Sequence, residues 1–418
     1  MNNYILALNC GSSSLKFTLF KIVEHNKLEH NLSGIVEEIG NVEKSRLKFE
    51  MNDEKTIRDM RLSNHRDALE AVFNVFEEFN IQKNDIKSIG HRVVHGGTKY
   101  NQSILIDQQV LNTIEELIPI APLHNPPNLL GIKVAMEVMD DVPQVAIFDT
   151  AFHGTLPEYA FRYAIPEQWY KEFGVRTYGF HGTSHMYVSK RAASIIGKPY
   201  NTFNGITAHL GNGSSLAKIQ NGESVDTSMG FTPLEGVIMG TRSGDIDPAI
   251  ISHVVNNLMV KEGIQHEEAF DIVMNALNKE SGLKALGKTN MMQDIRKKAE
   301  NGDVRAELVI SIYAYRIAKY IGAYWATLDG CDTLIFTAGL GENEGYVRKK
   351  IASFLPNIGI EIDDEKNAIR KEEIQIGQSK THGLKVMVIP TDEEIVIAYD
   401  AFYLGHLEKK LPDKYPFE

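Results

Sequence analysis

Apolar residues fall along this chain in two rhythms. Ile5 to Leu8 form an uninterrupted apolar run with the length of a buried strand. The stretch Gly11-Ser12-Ser13-Ser14 then reads as a turn, and Leu15, Phe17 and Leu19 alternate with Lys16 and Thr18, so a second strand returns antiparallel to the first. The spacing of Leu69, Val72, Phe73 and Phe76 predicts a helix, and so does that of Leu129, Ile132, Met136 and Met139. Val145 to Phe148 follows as another buried strand, a long helix is predicted over 304–328, and short apolar strands over 333–336 and 385–389. Strands and helices mixed in this order predict an α/β protein whose sheets are covered by helices. The last dozen residues, with Glu408-Lys409-Lys410 and Pro412, read as a surface tail.

One pattern occurs twice. Leu8-Asn9-Cys10-Gly11-Ser12-Ser13-Ser14-Leu15-Lys16 is echoed by Leu210-Gly211-Asn212-Gly213-Ser214-Ser215-Leu216-Ala217-Lys218. Each copy is a strand, a Gly/Ser turn and a returning strand that carries a lysine. Two readings fit: two related domains facing one site, or two unrelated hairpins, whose turns favour Gly and Asn anyway.

The length of 418 residues corresponds to two or three domains, and 43% hydrophobic with 24% charged residues is an ordinary globular composition. A net charge of -11 argues against nucleic acid as the main partner. It leaves an anionic substrate open, because a few local arginines outweigh a diffuse negative charge. Two cysteines, Cys10 and Cys331, fit a reducing compartment. The N-terminus lacks a signal-peptide pattern, and no apolar run approaches the roughly 20 residues of a membrane helix. A soluble, cytoplasmic protein is expected.

Gly-rich turns let backbone N–H groups approach phosphate oxygens, and Ser12, Ser13, Ser214 and Ser215 add hydroxyl donors. A third such turn, Gly339-Leu340-Gly341-Glu342-Asn343, is expected after the strand at 333–337. Neither a P-loop nor a strand-G-x-G-x-x-G-helix unit is expected to carry a nucleotide. Arg92, within His91 to Gly97, and Arg242, within Gly240 to Asp245, stand among small residues, where a guanidinium fork suits carboxylate or phosphate; a structural ion pair is the alternative. Histidines gather in loop-like sequence at His124, His153, His181 and His185. The last two could ligate a metal on a helix, but Gly182 and Thr183 are expected to break one, and H-E-x-x-H is absent. Asp149, at the end of a buried strand, is either catalytic or a helix cap. Glu393 lies in Thr391-Asp392-Glu393-Glu394, which reads as a capping box with Thr391 as N-cap.

These segments together resemble the acetokinase family. Asn9 to Lys16 is similar to its N-terminal signature, and Arg176-Thr177-Tyr178-Gly179-Phe180-His181-Gly182-Thr183-Ser184-His185 to its second one. The stretches at 91–97, 209–213, 241–247, 339–343 and 390–394 match in the family's order, and the similarity runs from residue 4 to about 403. The resemblance implies membership of the acetate and sugar kinase/Hsp70/actin superfamily. That means two duplicated RNase H-like domains with a nucleotide cleft between them: an acyl-kinase domain of residues 1–149 plus about 390–418, and a nucleotide-binding domain of 150–389.

The resemblance implies the following roles. Asn9 and Glu393 organise Mg²⁺, which Mn²⁺ can replace, with Asp149 close by. Arg92 and Arg242 hold the acetate carboxylate and the phosphoryl group in flight, and His181 hydrogen-bonds that group with His124 in support. Lys16 lies near the phosphates. ATP or ADP rests on His209, Leu210, Gly211, Asn212 and Gly213, on Asp294-Ile295-Arg296, and on Gly339, Leu340, Gly341, Glu342 and Asn343. Val94, Leu123, Phe180 and Pro233 line a pocket for the acetate methyl. A homodimer is implied as well. Cys10 stands where the family often has alanine, and Asn290 to Gln293 is bulkier than the family pattern.

The implied reaction is reversible phosphoryl transfer from ATP to acetate. Mg²⁺ and the arginines offset the repulsion between the two anions, and no strong base is needed because acetate is already ionised. A kinase for propionate or another short acyl acid is the nearest alternative. A metal-dependent hydrolase using the loop histidines, and a non-catalytic actin-like switch, are the more distant ones; the switch would need neither Arg92 nor Arg242.

Overall fold

The computed structural model describes residues 3–418, which form two mixed sheets. Each sheet belongs to its own compact unit: Met1–Gly154 with Asp392–Glu418, and Thr155–Thr391. The first sheet contains β1 (Tyr4–Cys10), β2 (Ser14–Ile22), β3 (Leu28–Glu37), β4 (Arg46–Met51), β5 (Glu54–Asp59), β6 (Ile86–Val93), β7 (Ile104–Leu105) and β8 (Gln144–Phe148) in the order β5-β4-β3-β2-β1-β6-β8-β7. The second contains β9 (Gly205–Leu210), β10 (Ser214–Gln220), β11 (Glu223–Thr227), β12 (Thr333–Thr337), β13 (Ile360–Ile362), β14 (Ile374–Ser379) and β15 (Lys385–Val388) in the order β11-β10-β9-β12-β15-β14-β13.

The duplication read from the sequence is real at the level of topology. In the first sheet β2 runs antiparallel to its neighbours β3 and β1, and β1, β6 and β8 run parallel. In the second, β11, β10 and β9 repeat the antiparallel part, and β9, β12 and β15 the parallel part. The two echoed segments are the first hairpins of the two copies, with Asn9 opposite Lys16 and Leu210 opposite Ser214. This is the RNase H-like arrangement that the resemblance implies.

Each sheet has its own core. Leu6 and Leu8 on β1 join Phe17, Phe73 and Phe76 in one apolar cluster; Ile206, Ala208 and Leu210 on β9 join Tyr313, Ile317 and Phe336 in another. The helices that supply these residues start where caps permit. Asn64 Oδ1 accepts from the Asp67 N–H at the head of His65–Glu78, and Asp303 accepts from Arg305 and Ala306 at the head of Val304–Thr327.

The chain crosses between the units twice. After β8 the chain passes into the second unit, where the helix Gly182–Ile195 packs on β9 and β12. After β15 it returns to the first unit, where Glu393–Ala401 packs on β6, β1 and β8.

Four expectations need correction. Gly182 and Thr183 do not break a helix: they begin one, because His181 takes the left-handed conformation (φ 56°) and turns the chain into it. Gly339 to Asn343 is not an open turn but most of a short helix, Ala338–Asn343, entered through a left-handed Ala338 (φ 63°). The cap of the last helix is Asp392, whose carboxylate accepts from the Ile395 N–H, so Thr391 forms no capping box. The C-terminal residues are not a loose surface tail, since Tyr415 is only 5% exposed.

Candidate active site

The parallel strands β6 and β8 end side by side, with Arg92 opposite Ile147 and Val93 opposite Phe148. Asp149 follows β8 directly, and its N–H donates to the Val93 carbonyl. Arg92 and Asp149 therefore meet at the carboxyl ends of adjacent parallel strands, where α/β sheets place their ligands. Arg92 Nε donates to Asp149 Oδ1 at 2.8 Å and Nη2 to Oδ2 at 2.9 Å, a bidentate fork. Asp149 is thus an arginine partner and not a helix cap. Its two accepted bonds are those of a carboxylate; burial raises its proton affinity while Arg92 draws it down. Burial works against the Arg92 charge, but Asp149 and Glu393 outweigh it and hold the guanidinium firmly protonated.

Glu393, the first residue of its helix, brings Oε2 to 3.4 Å from Arg92 Nη2. That oxygen is buried and makes no hydrogen bond to any described residue. Glu394 beside it carries a carboxyl raised by burial and by the Glu393 charge, and Lys16 draws it down, so Lys16 acts on this site electrostatically. Asn9, at the end of β1, sits opposite Lys16. Amide and carboxylate oxygens of this kind suit Mg²⁺, which keeps water and phosphate oxygens among its ligands. Among the described residues no cluster of three or more His, Cys, Asp or Glu is arranged to hold a metal. One carboxylate and one amide oxygen leave room for water and phosphate oxygens around such an ion.

His124 stands at the head of Asn125–Val138, near enough to Asp149 to favour its charged form. Two asparagines on that helix hold the loop after β6. Asn128 Oδ1 accepts from the Val94 N–H, and Asn125 Oδ1 from the His95 N–H. Val94 is consequently fixed through its backbone and half-buried, while Leu123 is exposed.

In the second unit the β9–β10 turn is closed by the Gly211 N–H, which donates to the Gly213 carbonyl. Gly213 is small for a reason. A Cβ there would lie 3.3 Å from His181 Nε2 and 3.7 Å from Arg242 Nη1, so both side chains converge on this one residue. Arg242 Nη1 donates to the Pro233 carbonyl at 3.0 Å, and burial lowers its proton affinity. Among the described residues no carboxylate forms an ion pair with it. A half-buried guanidinium without a carboxylate partner among the described residues has a charge suited to an anion.

His181 belongs to a chain of polar contacts. Its Nδ1 lies 2.8 Å from Ser215 Oγ, His185 Nε2 lies 2.8 Å from the same hydroxyl, and His185 Nδ1 lies 2.7 Å from Thr207 Oγ1. The His181 and His209 rings stack at 4.2 Å, and Ser184 Oγ lies 2.8 Å from His209 Nδ1. Phe180 is buried and Pro233 half-buried in this unit.

The remaining nucleotide segments are less uniform than expected. Ile295 is a core residue, 1% exposed, so only Asp294 and Arg296 of that trio face outward. Arg296 is paired with Glu344 and Glu300. A cavity of about 310 Å³ takes in Arg296, Asn343 and Tyr346. Glu342 Oε1 accepts from the Thr391 N–H, and the Gly341 carbonyl accepts from the buried Arg348, so the short helix is clasped from two sides. The spacing G-x-x-x-x-G-K-T does occur, at Gly282 to Thr289, so a P-loop cannot be dismissed on motif grounds. The structure dismisses it: Gly282–Gly287 is a short helix following the π-helical Ala276–Glu280, not a loop between strand and helix.

Comparison with known proteins now bears on the whole chain. The model of the acetokinase family matches residues 4–399. The acetate kinase of Carboxydothermus hydrogenoformans is 46% identical over 405 residues, covering 96% of this chain and 98% of that protein. The chain belongs to the acetokinase family.

Another relative in that family, the acetate kinase of Thermotoga maritima, is 48% identical over 404 residues, covering 95% of this chain and 97% of that one. Two solved structures agree. A Porphyromonas gingivalis acetate kinase superposes with a TM-score of 0.86 at 40% identity over 96% of this chain and 99% of that one. A propionate kinase from Francisella tularensis subsp. tularensis gives 0.86 and 40% over 95% and 98%. For a member of this kinase family, several polar residues around the site had no visible signal in the sequence. Ser215 and Thr207 look like ordinary strand residues, and Asn125 and Asn128 like helix-start polar residues. Only the Gly-flanked histidine and arginine segments announced themselves.

Proposed function

We propose that this chain catalyses the reversible transfer of the γ-phosphoryl group of ATP to acetate, giving acetyl phosphate and ADP. The observation that carries the proposal is the pair of arginines in different electrostatic settings. Arg92 is locked in a carboxylate fork with part of its guanidinium left over: its Nη1 makes no hydrogen bond to any described residue. Arg242 is half-buried, and among the described residues no carboxylate forms an ion pair with it. One guanidinium is suited to orient a carboxylate, the other to meet charge that develops on a phosphoryl group.

In the reaction an acetate oxygen attacks the γ-phosphorus in line, a new P–O bond forms, and the bond to the β-phosphate oxygen breaks as ADP leaves. No proton changes hands, so Asp149 serves to aim Arg92 and needs no role as a base. His181 meets the phosphoryl oxygens from the Gly213 side. A consistent proton order runs from His185 Nε2–H to Ser215, then from the Ser215 O–H to His181 Nδ1. It leaves His181 Nε2–H as a neutral donor to the transferred group. Glu393 and Asn9 would hold Mg²⁺, which would supply charge neutralisation.

Val94 favours the smaller acid, since a smaller residue there would leave room for a longer chain. One methylene is nevertheless worth only about 1–3 kcal/mol, so propionate is expected to react more slowly and not to be refused. A homodimer is part of the proposal. The hairpin of Ala249–Glu262 and His266–Asn275 exposes Ile250, Val254, Val260, Phe270 and Ile272, an apolar surface suited to a second copy and measurable by sedimentation velocity. No helix among the described residues is long and apolar enough to cross a membrane, and two free cysteines support a cytoplasmic setting.

The test is a comparison of ATP-dependent phosphorylation of acetate, propionate and butyrate with Mg²⁺ or Mn²⁺. The expected order of kcat/KM is acetate, propionate, butyrate. A higher kcat/KM for propionate would move the assignment to the longer acid. Absence of turnover with all three would remove it.

A further inference from the structure

The residues after Ala401 pack where nothing in the proposed reaction requires them. Asp400, near the end of the helix Glu393–Ala401, is buried with two donors: Ser103 Oγ reaches its Oδ2 at 2.6 Å, and Tyr415 OH its Oδ1 at 2.7 Å. Ser103 lies just before the edge strand β7, and Tyr415 lies near the C-terminus. The Tyr415 ring stacks on Phe417 at 5.0 Å and meets Tyr399 edge-on at 6.3 Å. Tyr399 OH accepts from the Leu28 N–H at the start of β3. Burial and the Asp400 charge keep the Tyr415 phenol protonated far above neutral pH, so it remains a donor.

The helix and its π-helical continuation Phe402–His406 run along β6 residue by residue. Glu393 stands at Arg92. Two strand positions back, Gly90 leaves so little space that a Cβ would lie 2.6 Å from Ile397 and 3.2 Å from Ala401. At the far end, a Cβ on Gly405 would lie 2.1 Å from Ser88 Oγ. The helix therefore has one register on the strand, and a slide along it would move Glu393 away from Arg92. Smooth glycine contacts set the distance between helix and strand but resist sliding weakly. The directional bonds at Asp400, seven residues and about two turns from Glu393, resist it.

We propose that the C-terminal segment is a strap that sets the register of the helix Glu393–Ala401 on β6. In it Asp400, Ser103 and Tyr415 are positioning residues for the Arg92–Glu393 pair. The functional consequence rests on the kinase reading above, whereas the strap itself is independent of it.

The experiment uses the full chain with Tyr415→Phe, Ser103→Ala and a chain ending at Lys410. Two readouts besides turnover are taken: amide hydrogen exchange over Glu393–Ala401, and Mn²⁺ binding with ADP followed by electron paramagnetic resonance. Losing one hydrogen bond to a buried carboxylate is expected to speed exchange through this helix about ten-fold. Mn²⁺ binding should weaken by a factor of about 3–10, with nucleotide affinity measured without metal unchanged. Tyr415→Phe and Ser103→Ala together should be less than additive, since they act on one carboxylate. Wild-type helix exchange and wild-type Mn²⁺ binding in a folded Tyr415→Phe or Ser103→Ala chain would overturn the proposal, even if the melting temperature falls. If the parent chain fails to phosphorylate acetate, the kinase reading falls while the exchange data still decide the strap.

Discussion

Arg242 carries its charge against the desolvation of its surroundings, donating to the Pro233 carbonyl and the Met239 sulfur. A phosphoryl group gaining charge in flight would relieve that cost, so the benefit is concentrated in the transition state. Arg242→Ala is therefore expected to lower kcat by about 10²–10³-fold. Arg242→Lys should recover only part of this, because it keeps the charge and loses the planar fork. Arg92→Ala should in addition raise KM for acetate. Steady-state kinetics of folded variants decide it: near wild-type kcat in Arg242→Ala would make Arg242 a structural residue. At this scale the sequence was readable wherever glycine flanked a charged or imidazole side chain. It was silent on Ser215, whose hydroxyl serves two histidines from neighbouring turns of one helix, because strand serines carry no mark of what lies opposite them.

Between elements, close approach is the governing constraint. The helix Asn125–Val138 crosses β1 so tightly that a Cβ on Gly131 would lie 2.2 Å from Cys10 Sγ. Cys10 is buried, and burial pushes its thiol up to about 12, so it is an inert space-filler. Gly131→Ala is expected to destabilise by about 1–3 kcal/mol through overpacking. Adding Cys10→Ala should restore much of that loss by emptying the contested volume. Urea unfolding of both single variants and the double variant tests this, and strict additivity would show that the two sites do not compete for space. Two helix starts that differ from expectation share one cause. His181 and Ala338 adopt left-handed backbone conformations that local sequence does not favour, and each opens a helix at a position where glycine alone predicts a break.

For the molecule as a whole, two buried histidines couple stability to pH. Burial lowers His91 to about 4, against the pull of its bond to Gln144, and lowers His95 to about 4. Between about 4 and the ordinary value of 6.5 the unfolded chain binds protons that the folded chain does not. Stability should then rise with pH through this window, be complete above 6.5 and be lost as pH falls toward 4, by up to about 3 kcal/mol per histidine. Unfolding free energies of wild type and His91→Gln from pH 4.5 to 7 check the sign. Parallel curves would show that His91 does not contribute.

The α/β class, the repeated Gly/Ser hairpin and the resemblance to the kinase family were legible in the sequence. They depend on local periodicity and on motifs whose residues are neighbours in the chain. The tertiary structure alone decided why Gly131 faces Cys10 and that Tyr415 ends on Asp400. It also decided that a Gly-x₄-Gly-Lys-Thr spacing forms a helix and not a phosphate loop. Those outcomes depend on volume and on hydrogen bonds between residues far apart in the chain, and no window of sequence contains both partners.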